Sequence, residues 1–151
     1  MLCVDTNVLV YATATASIAD AKVVRARDLI ARTMRIASSV LLLQTLAEFS
    51  NVAIRKARIP VKDIQRIIDA WRAVLPVQAA DESDLLAALE AVRAHQLAFW
   101  DAMLWASARR AGVKHLLTED MQDGFALQGV TFINPFKREN DQLIDEILPP
   151  S

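Results

Sequence analysis

The sequence predicts an α/β fold in which helices cover both faces of a parallel sheet. Three observations predict it. Short apolar, β-rich runs alternate along the chain with longer stretches whose apolar residues recur at helical spacing. The 151 residues are 54% hydrophobic with only three glycines, which describes a compact, helix-rich domain and not a disordered or fibrous chain. Acidic residues close or follow several of the apolar runs, and in such sheets ligands collect at the carboxyl ends of the strands.

Taken in order, MLCV is a buried strand that ends in the turn Asp5-Thr6-Asn7. VLVYATATASIAD continues it as a helix or loop of open length. Val23, Ala26, Ile30 and Met34 predict a helix over 20–34. IASSVLLL supplies a second strand near 38–42. Leu46, Phe49, Ala53 and Ala57 then mark an amphipathic helix over 44–57. Pro60 fits the first turn of a further helix with Ile64, Ile67, Ile68 and Trp71 as its buried stripe. LPVQAAD is a short extended segment, and Asp81 an N-cap for a helix over 82–94 whose stripe is Leu85, Leu89 and Val92. Residues 100–111 form another helix, stopped by Gly112. VKHLLT is a strand, EDMQDG a turn or short helix, and VTFINP a last strand. Residues 1–136 form one domain; 137–151 are a charged tail whose Leu143, Ile144, Ile147 and Leu148 make a stripe for docking on it. There is no internal repeat or low-complexity tract.

Bulk properties exclude several function classes. The net charge of −1 does not advertise a polyanion partner, although basic residues cluster around 22–35, 55–58 and 109–114. A single cysteine, Cys3, permits no intramolecular disulfide and no thiolate cage. No apolar run approaches the roughly 20 residues of a membrane span, and no leader is expected at the N-terminus; a reducing cytoplasm fits this. Neither His95 nor His115 has a second histidine at zinc-ligand spacing. The serines lack the GxSxG setting of a hydrolase nucleophile, and no Gly-rich nucleotide loop occurs. Trp71 and Trp105 read as core, while Trp100 beside Asp101 reads as core or pocket lining.

The chemistry rests on four carboxylates: Asp5 in LCVDTN, Glu48 in LLLQTLAEF, Asp101 in LAFWDAML and Asp120 in HLLTEDMQDG. A carboxylate beside buried apolar surface is costly without a compensating cation. The neighbouring sequence offers no set of Lys or Arg partners at all four places, so a hard divalent cation held by oxygen ligands is the cheaper explanation. Each motif also has a plainer meaning. Asp5-Thr6-Asn7 fits a simple turn, Asp101 a helix-dipole partner, and Glu119, Asp120 and Asp123 a solvated turn. Glu48 is harder to explain so plainly, because it sits between Ala47 and Phe49 in a strongly apolar context.

Four segments in this order, VDTNVLVYA, QTLAEFSNVAIRK, FWDAMLWASARRAG and LLTEDMQDG, resemble the PIN-domain ribonucleases, and most of all the VapC-type toxins of bacterial and archaeal toxin–antitoxin pairs. The resemblance runs from about Leu2 to Phe136. It implies a three-layer α/β/α sandwich with a central parallel sheet, and carries across Asp5, Glu48, Asp101 and Asp120 as metal-binding catalytic acids. Asp123 would be an accessory acid, and Thr6, Asn7 and Thr118 polar helpers. It further implies Mg²⁺ or Mn²⁺ as cofactor, RNA as substrate, a cognate antitoxin as partner, and a homodimer. Arg55, Arg109 and Arg110 are candidates to hold substrate phosphates. Two departures stand out: Leu42 and Leu43, and then Ala98, occupy places where the family often has Ser or Thr, removing potential N-caps. Two other functions share the same acids: a catalytically silent PIN-like module that binds nucleic acid or serves as a scaffold, and a deoxyribonuclease.

Overall fold

A computed structural model describes residues 1–14, 20–36 and 38–150. The element order is β1 (Leu2–Val4), α1 (Thr6–Thr13), α2 (Ala21–Thr33), β2 (Leu41–Leu42), α3 (Leu43–Arg55), α4 (Val61–Arg72), β3 (Val77–Gln78), α5 (Glu82–His95), α6 (Phe99–Arg110), β4 (His115–Leu117), β5 (Ala126–Leu127), β6 (Val130–Ile133) and α7 (Asp141–Ile147). The segment of open length after the first strand resolves into α1 as far as Thr13, and its residues 15–19 lie outside the described residues.

The strands order as β1-β4-β6-β5, with a separate β2-β3 pair joined to β1 through a parallel bridge between Leu2 and Ser39. Every pairing is parallel except β5 with β6, an antiparallel edge that the sequence did not signal. Period-two alternation divides the strands between two cores. Leu2, Val4, Leu41, Leu117 and Ile133 enter the core under α1–α4 and α7. Cys3, Leu42, Leu116 and Phe132 enter the core under α5 and α6. This is the three-layer α/β/α sandwich. Each fully buried Leu, Ile or Phe contributes on the order of 1.5–3 kcal/mol, so the sheet is fixed from both sides.

Most elements lie where periodicity placed them. Leu46, Phe49 and Ala53 are the buried stripe of α3, and Gly112 takes the left-handed conformation (φ 78°) that ends α6. Pro60 is the N-cap of α4 instead of sitting inside its first turn. In the C-terminal segment Ile144 and Leu148 are fully buried in the first core, whereas Leu143 is partly exposed.

One helix face differs from expectation. On α5 the buried residues are Asp84, Ala88 and Ala91; Leu85 and Leu89 are exposed and Val92 only partly covered. The reason is close packing against α6, which presents Ala102, Ala106 and Ala108 to the same core. Small residues let the two helices approach, and a polar clamp completes the contact. Asp84, 2% exposed, accepts from Arg110 Nε (2.9 Å) and Nη2 (2.8 Å), from Ser107 Oγ (3.2 Å) and from the Asp81 backbone N–H (3.0 Å). The last bond is half of a capping box with Asp81, the N-cap the sequence predicted.

Burial alone would raise the Asp84 pKa, but the Arg110 hydrogen bonds and the Asp81 amide outweigh it and hold the carboxyl below the usual Asp range. A lowered folded-state pKa stabilises the fold above the unfolded-state value and is lost as pH falls through the folded one. Asp84→Ala should therefore destabilise the domain by roughly 2 kcal/mol at pH 7. The difference from wild type should shrink in urea melts as pH is lowered below about 4.

Candidate active site

The carboxyl edge of the sheet gathers side chains far apart in sequence. Asp5 follows β1 directly and N-caps α1, accepting from the Thr6 N–H at 2.6 Å. Thr118 follows β4, and Asp120 stands two residues further on. Glu48 projects from α3, whose first residue follows β2 without a linker, and Asp101 lies in the first turn of α6. All four acids line one pocket of about 360 Å³.

Neutral donors hold this cluster in place. Thr118 Oγ1 donates to Asp5 Oδ2 at 2.7 Å and accepts from the Asp120 N–H at 3.1 Å. Asn7 Nδ2 donates to both Asp5 Oδ2 (3.2 Å) and Asp120 Oδ2 (3.1 Å). Glu48 is held from two sides, by Thr6 Oγ1 at 3.1 Å and by Gln44 Nε2 at 2.8 Å. Asp101 receives no hydrogen bond from the described residues. Thr6, Asn7 and Thr118 thus stand among the acids. Gln44 was not singled out in the sequence, although its i−4 spacing from Glu48 was the available signal.

None of the four acids forms an ion pair with the described residues, whereas neighbouring acids do. Glu119 accepts from Lys22 Nζ (2.5 Å) and from Tyr11 Oη (2.7 Å), tying α1 and α2 to the loop after β4. Asp123 pairs with Lys137 (3.1 Å) and accepts from the Asn134 N–H and Asn140 Nδ2. It braces the C-terminal segment and does not line the acid pocket, so the structure gives no support to an accessory role for it at the site. Of the three acids in EDMQDG, only Asp120 is left unpaired at the pocket.

The charge cost shows in the titration of the cluster. Burial, the largest effect, raises Asp5; hydrogen bonds from Thr118 and Thr6 oppose it, and the Asp120 and Glu48 carboxylates push it further, to about 6. Asp101 is raised by burial and then by Asp120 and Glu48.

The basic residues are arranged differently from expectation. Arg110 is committed to Asp84, Asp81 and the Ala79 carbonyl, and Arg109 stacks over Trp105 (5.0 Å) beside Gln128. Neither lines the acid pocket, and neither does Arg55. The cation that does line it is Lys56, the residue after α3, two turns beyond Glu48. Trp100 also lines it, with its side chain exposed.

Whether a divalent cation fits can be judged from the donors. Among the described residues no three acidic, histidine or cysteine side chains stand close enough to make a ready-formed ligand sphere. The Asn7 amide nitrogen, lying between Asp5 and Asp120, is part of the reason. Yet the acids offer only oxygen donors, none of them is ion-paired among the described residues, and Asn7 Oδ1 is a buried acceptor without a partner among those residues. By charge and donor chemistry the pocket suits a hard divalent ion.

Fifteen chains of solved structures match this fold, among them these two. Mycobacterium tuberculosis VapC20, described as a sarcin-ricin loop cleaving toxin, superposes with a TM-score of 0.61 at 19% identity, covering 80% of this chain and 90% of that one. A chain of a toxin–antitoxin complex from Klebsiella pneumoniae gives a TM-score of 0.65 at 18% identity, covering 89% of this chain and 98% of that one. No curated protein matches the sequence significantly. The PIN domain family model matches residues 2–126, which include all four acids, and the chain belongs to the PIN-domain family.

Proposed function

We propose that this protein is a metal-dependent endoribonuclease and the toxin of a toxin–antitoxin pair. The observation that carries the nuclease reading is the set of four unpaired carboxylates in one pocket at the carboxyl edge of the sheet. Four anions do not bind a phosphodiester unaided; with a cation between them they do. Mg²⁺, or Mn²⁺ in its place, would supply a Lewis acid that activates water and neutralises charge building on the phosphoryl group. RNA as substrate, a cognate antitoxin as partner, and a homodimer in the cytoplasm belong to the same proposal. They draw on the likeness to VapC20 and to the Klebsiella pneumoniae complex.

The chain's own residues have distinct tasks in this mechanism. Asp5, which is buried, and Asp101, which is partly buried in the first turn of α6, would hold the ion. The bond from Thr118 and the backbone bond from Thr6 keep Asp5 at a fixed orientation. Glu48 and Asp120 orient the attacking water. Glu48 suits this because Thr6 and Gln44 fix it from both sides. Lys56, lining the pocket without an ion pair among the described residues, neutralises a substrate phosphate. In-line displacement leaves a 5′-phosphate and a 3′-hydroxyl.

The purified chain should cut RNA with Mg²⁺ and leave it intact in EDTA. Asp5→Asn and Asp101→Asn should each fold normally and lose at least about a hundredfold in cleavage rate. Full activity in both variants, by gel assay of RNA ends, would refute the assignment.

Metal binding should also register without activity. Because Asp5 titrates near 6 in the folded state, above the ordinary Asp value, its ionised form opposes folding of the metal-free protein. The sign follows: metal-free Asp5→Asn should gain stability relative to wild type as pH rises from about 4 through 6. Mg²⁺ should raise the melting temperature of wild type at pH 7.5, do so less as pH falls below about 6, and leave Asp5→Asn unmoved. Equal Mg²⁺ shifts in both proteins would count against Asp5 as a ligand.

A further inference from the structure

A second concavity, of about 540 Å³, adjoins the acid pocket and differs from it in character. Its wall is almost wholly apolar: Leu43, Ala47, Ala80, Met103 and Trp100, with Gln44 and Glu48 at the border. Gln44, Glu48 and Trp100 line both spaces, so whatever fills the groove lies against the acids. Trp100 is 63% exposed, whereas Trp71 and Trp105 are buried. An indole so exposed forgoes burial that a core position would give it.

The exposed ring is nevertheless positioned. It sits in the first turn of α6, next to Asp101, and packs edge-on against Phe99 with ring centroids 5.1 Å apart. Its backbone carbonyl accepts from Gln44 Nε2 at 3.0 Å, the same amide that holds Glu48. One side chain therefore ties an acid on one side of the border to the backbone that carries the tryptophan on the other. This is a flat, accessible π-face carried on a helix turn that borders the acid pocket.

We propose that the groove is a nucleobase subsite, in which a base beside the scissile phosphate stacks on Trp100. The inference rests on the ribonuclease reading and adds to it the residue that selects where the strand is cut. Phosphates contribute no sequence information; a stacking shelf one nucleotide from the cut favours bases that unstack easily and stack well, and rejects a paired strand. Continuity with the acid pocket is what favours a base over a second copy of this chain as occupant. A strand whose phosphate sits among the acids must place its next base within reach of this wall.

The test uses short single-stranded RNA carrying one defined cut site, together with versions in which single nucleotides are made abasic. Trp100→Ala should raise KM by roughly five- to hundredfold and blur the cut-site preference, and Trp100→Phe should recover most of both. One abasic position next to the cut should impair wild type by a similar factor and have no further effect on Trp100→Ala. If wild type cleaves RNA and Trp100→Ala matches it in KM, cut sites and abasic profile, the subsite is refuted and the ribonuclease reading stands. If wild type cleaves no RNA, the ribonuclease reading fails. The subsite is then judged by tryptophan emission: saturable quenching by the same oligonucleotide, lost in Trp100→Ala, supports it, and no quenching overturns it. Sedimentation gives the last arm: a wild-type dimer that Trp100→Ala dissociates would assign the groove to a second copy and overturn the proposal.

Discussion

Uncompensated negative charge at the carboxyl edge of the sheet is the constraint around which the rest is organised. Two carboxylates about 6 Å apart repel by roughly 3 kcal/mol at an effective dielectric of 20. The pocket holds four acids, with a single lysine lining it. Neutral groups carry the burden without a cation: the Thr6 and Thr118 hydroxyls, the Thr6 amide, and the side-chain amides of Asn7 and Gln44. Each lowers the cost of a carboxylate without cancelling its charge. A site built in this way stays selective for a cation, which arginine partners would have displaced. The protein has arginines to spare for that role and deploys them elsewhere, on Asp84 and on Asp28 and Asp145.

Much of this was legible in the sequence because it depends on local rules. A strand of three or four apolar residues must end, and the polar residue that ends it faces the sheet edge; Asp5 follows from that alone, whereas Thr118 was marked only by the family resemblance. Glu48 was visible because nothing apolar in its neighbourhood could accommodate its charge. Asp101 was visible through its place in the first turn of a helix. The alternation that splits Cys3 from Val4, or Leu116 from Leu117, between the two cores is strand geometry acting on runs that are apolar on both faces.

What was not legible depends on which neighbour a face meets. The leucine stripe of α5 looked like a core stripe because hydrophobic spacing weighs size. Close approach of two helices rewards alanine instead, so Ala88 and Ala91 turned inward and Leu85 and Leu89 outward. The same choice captured Arg110, since a buried Asp84 requires a cation more than an exposed phosphate path does. Lys56 reached the pocket although its charge cluster looked no different from the others in sequence. Asp123 shared a turn with Asp120 and Glu119, and only the positions of Lys137 and Lys22 separate the three.

The missing N-caps fit the same electrostatic logic. Leu42 and Ala98 make no side-chain hydrogen bond to the first turns of α3 and α6, so both helices begin with uncapped backbone N–H groups. Those two first turns border the acids: Leu43 and Gln44 on α3, Trp100 and Asp101 on α6. An uncapped N-terminus carries a partial positive charge that a Ser or Thr oxygen would have quenched in part. The absence of a cap costs each helix some stability, and leaves beside the carboxylates a positive end that offsets their repulsion. The apolar residues at the start of α3 have a second consequence. Leu43 forms part of the wall beside Trp100, so the apolar groove reaches the edge of the acid pocket at this helix start.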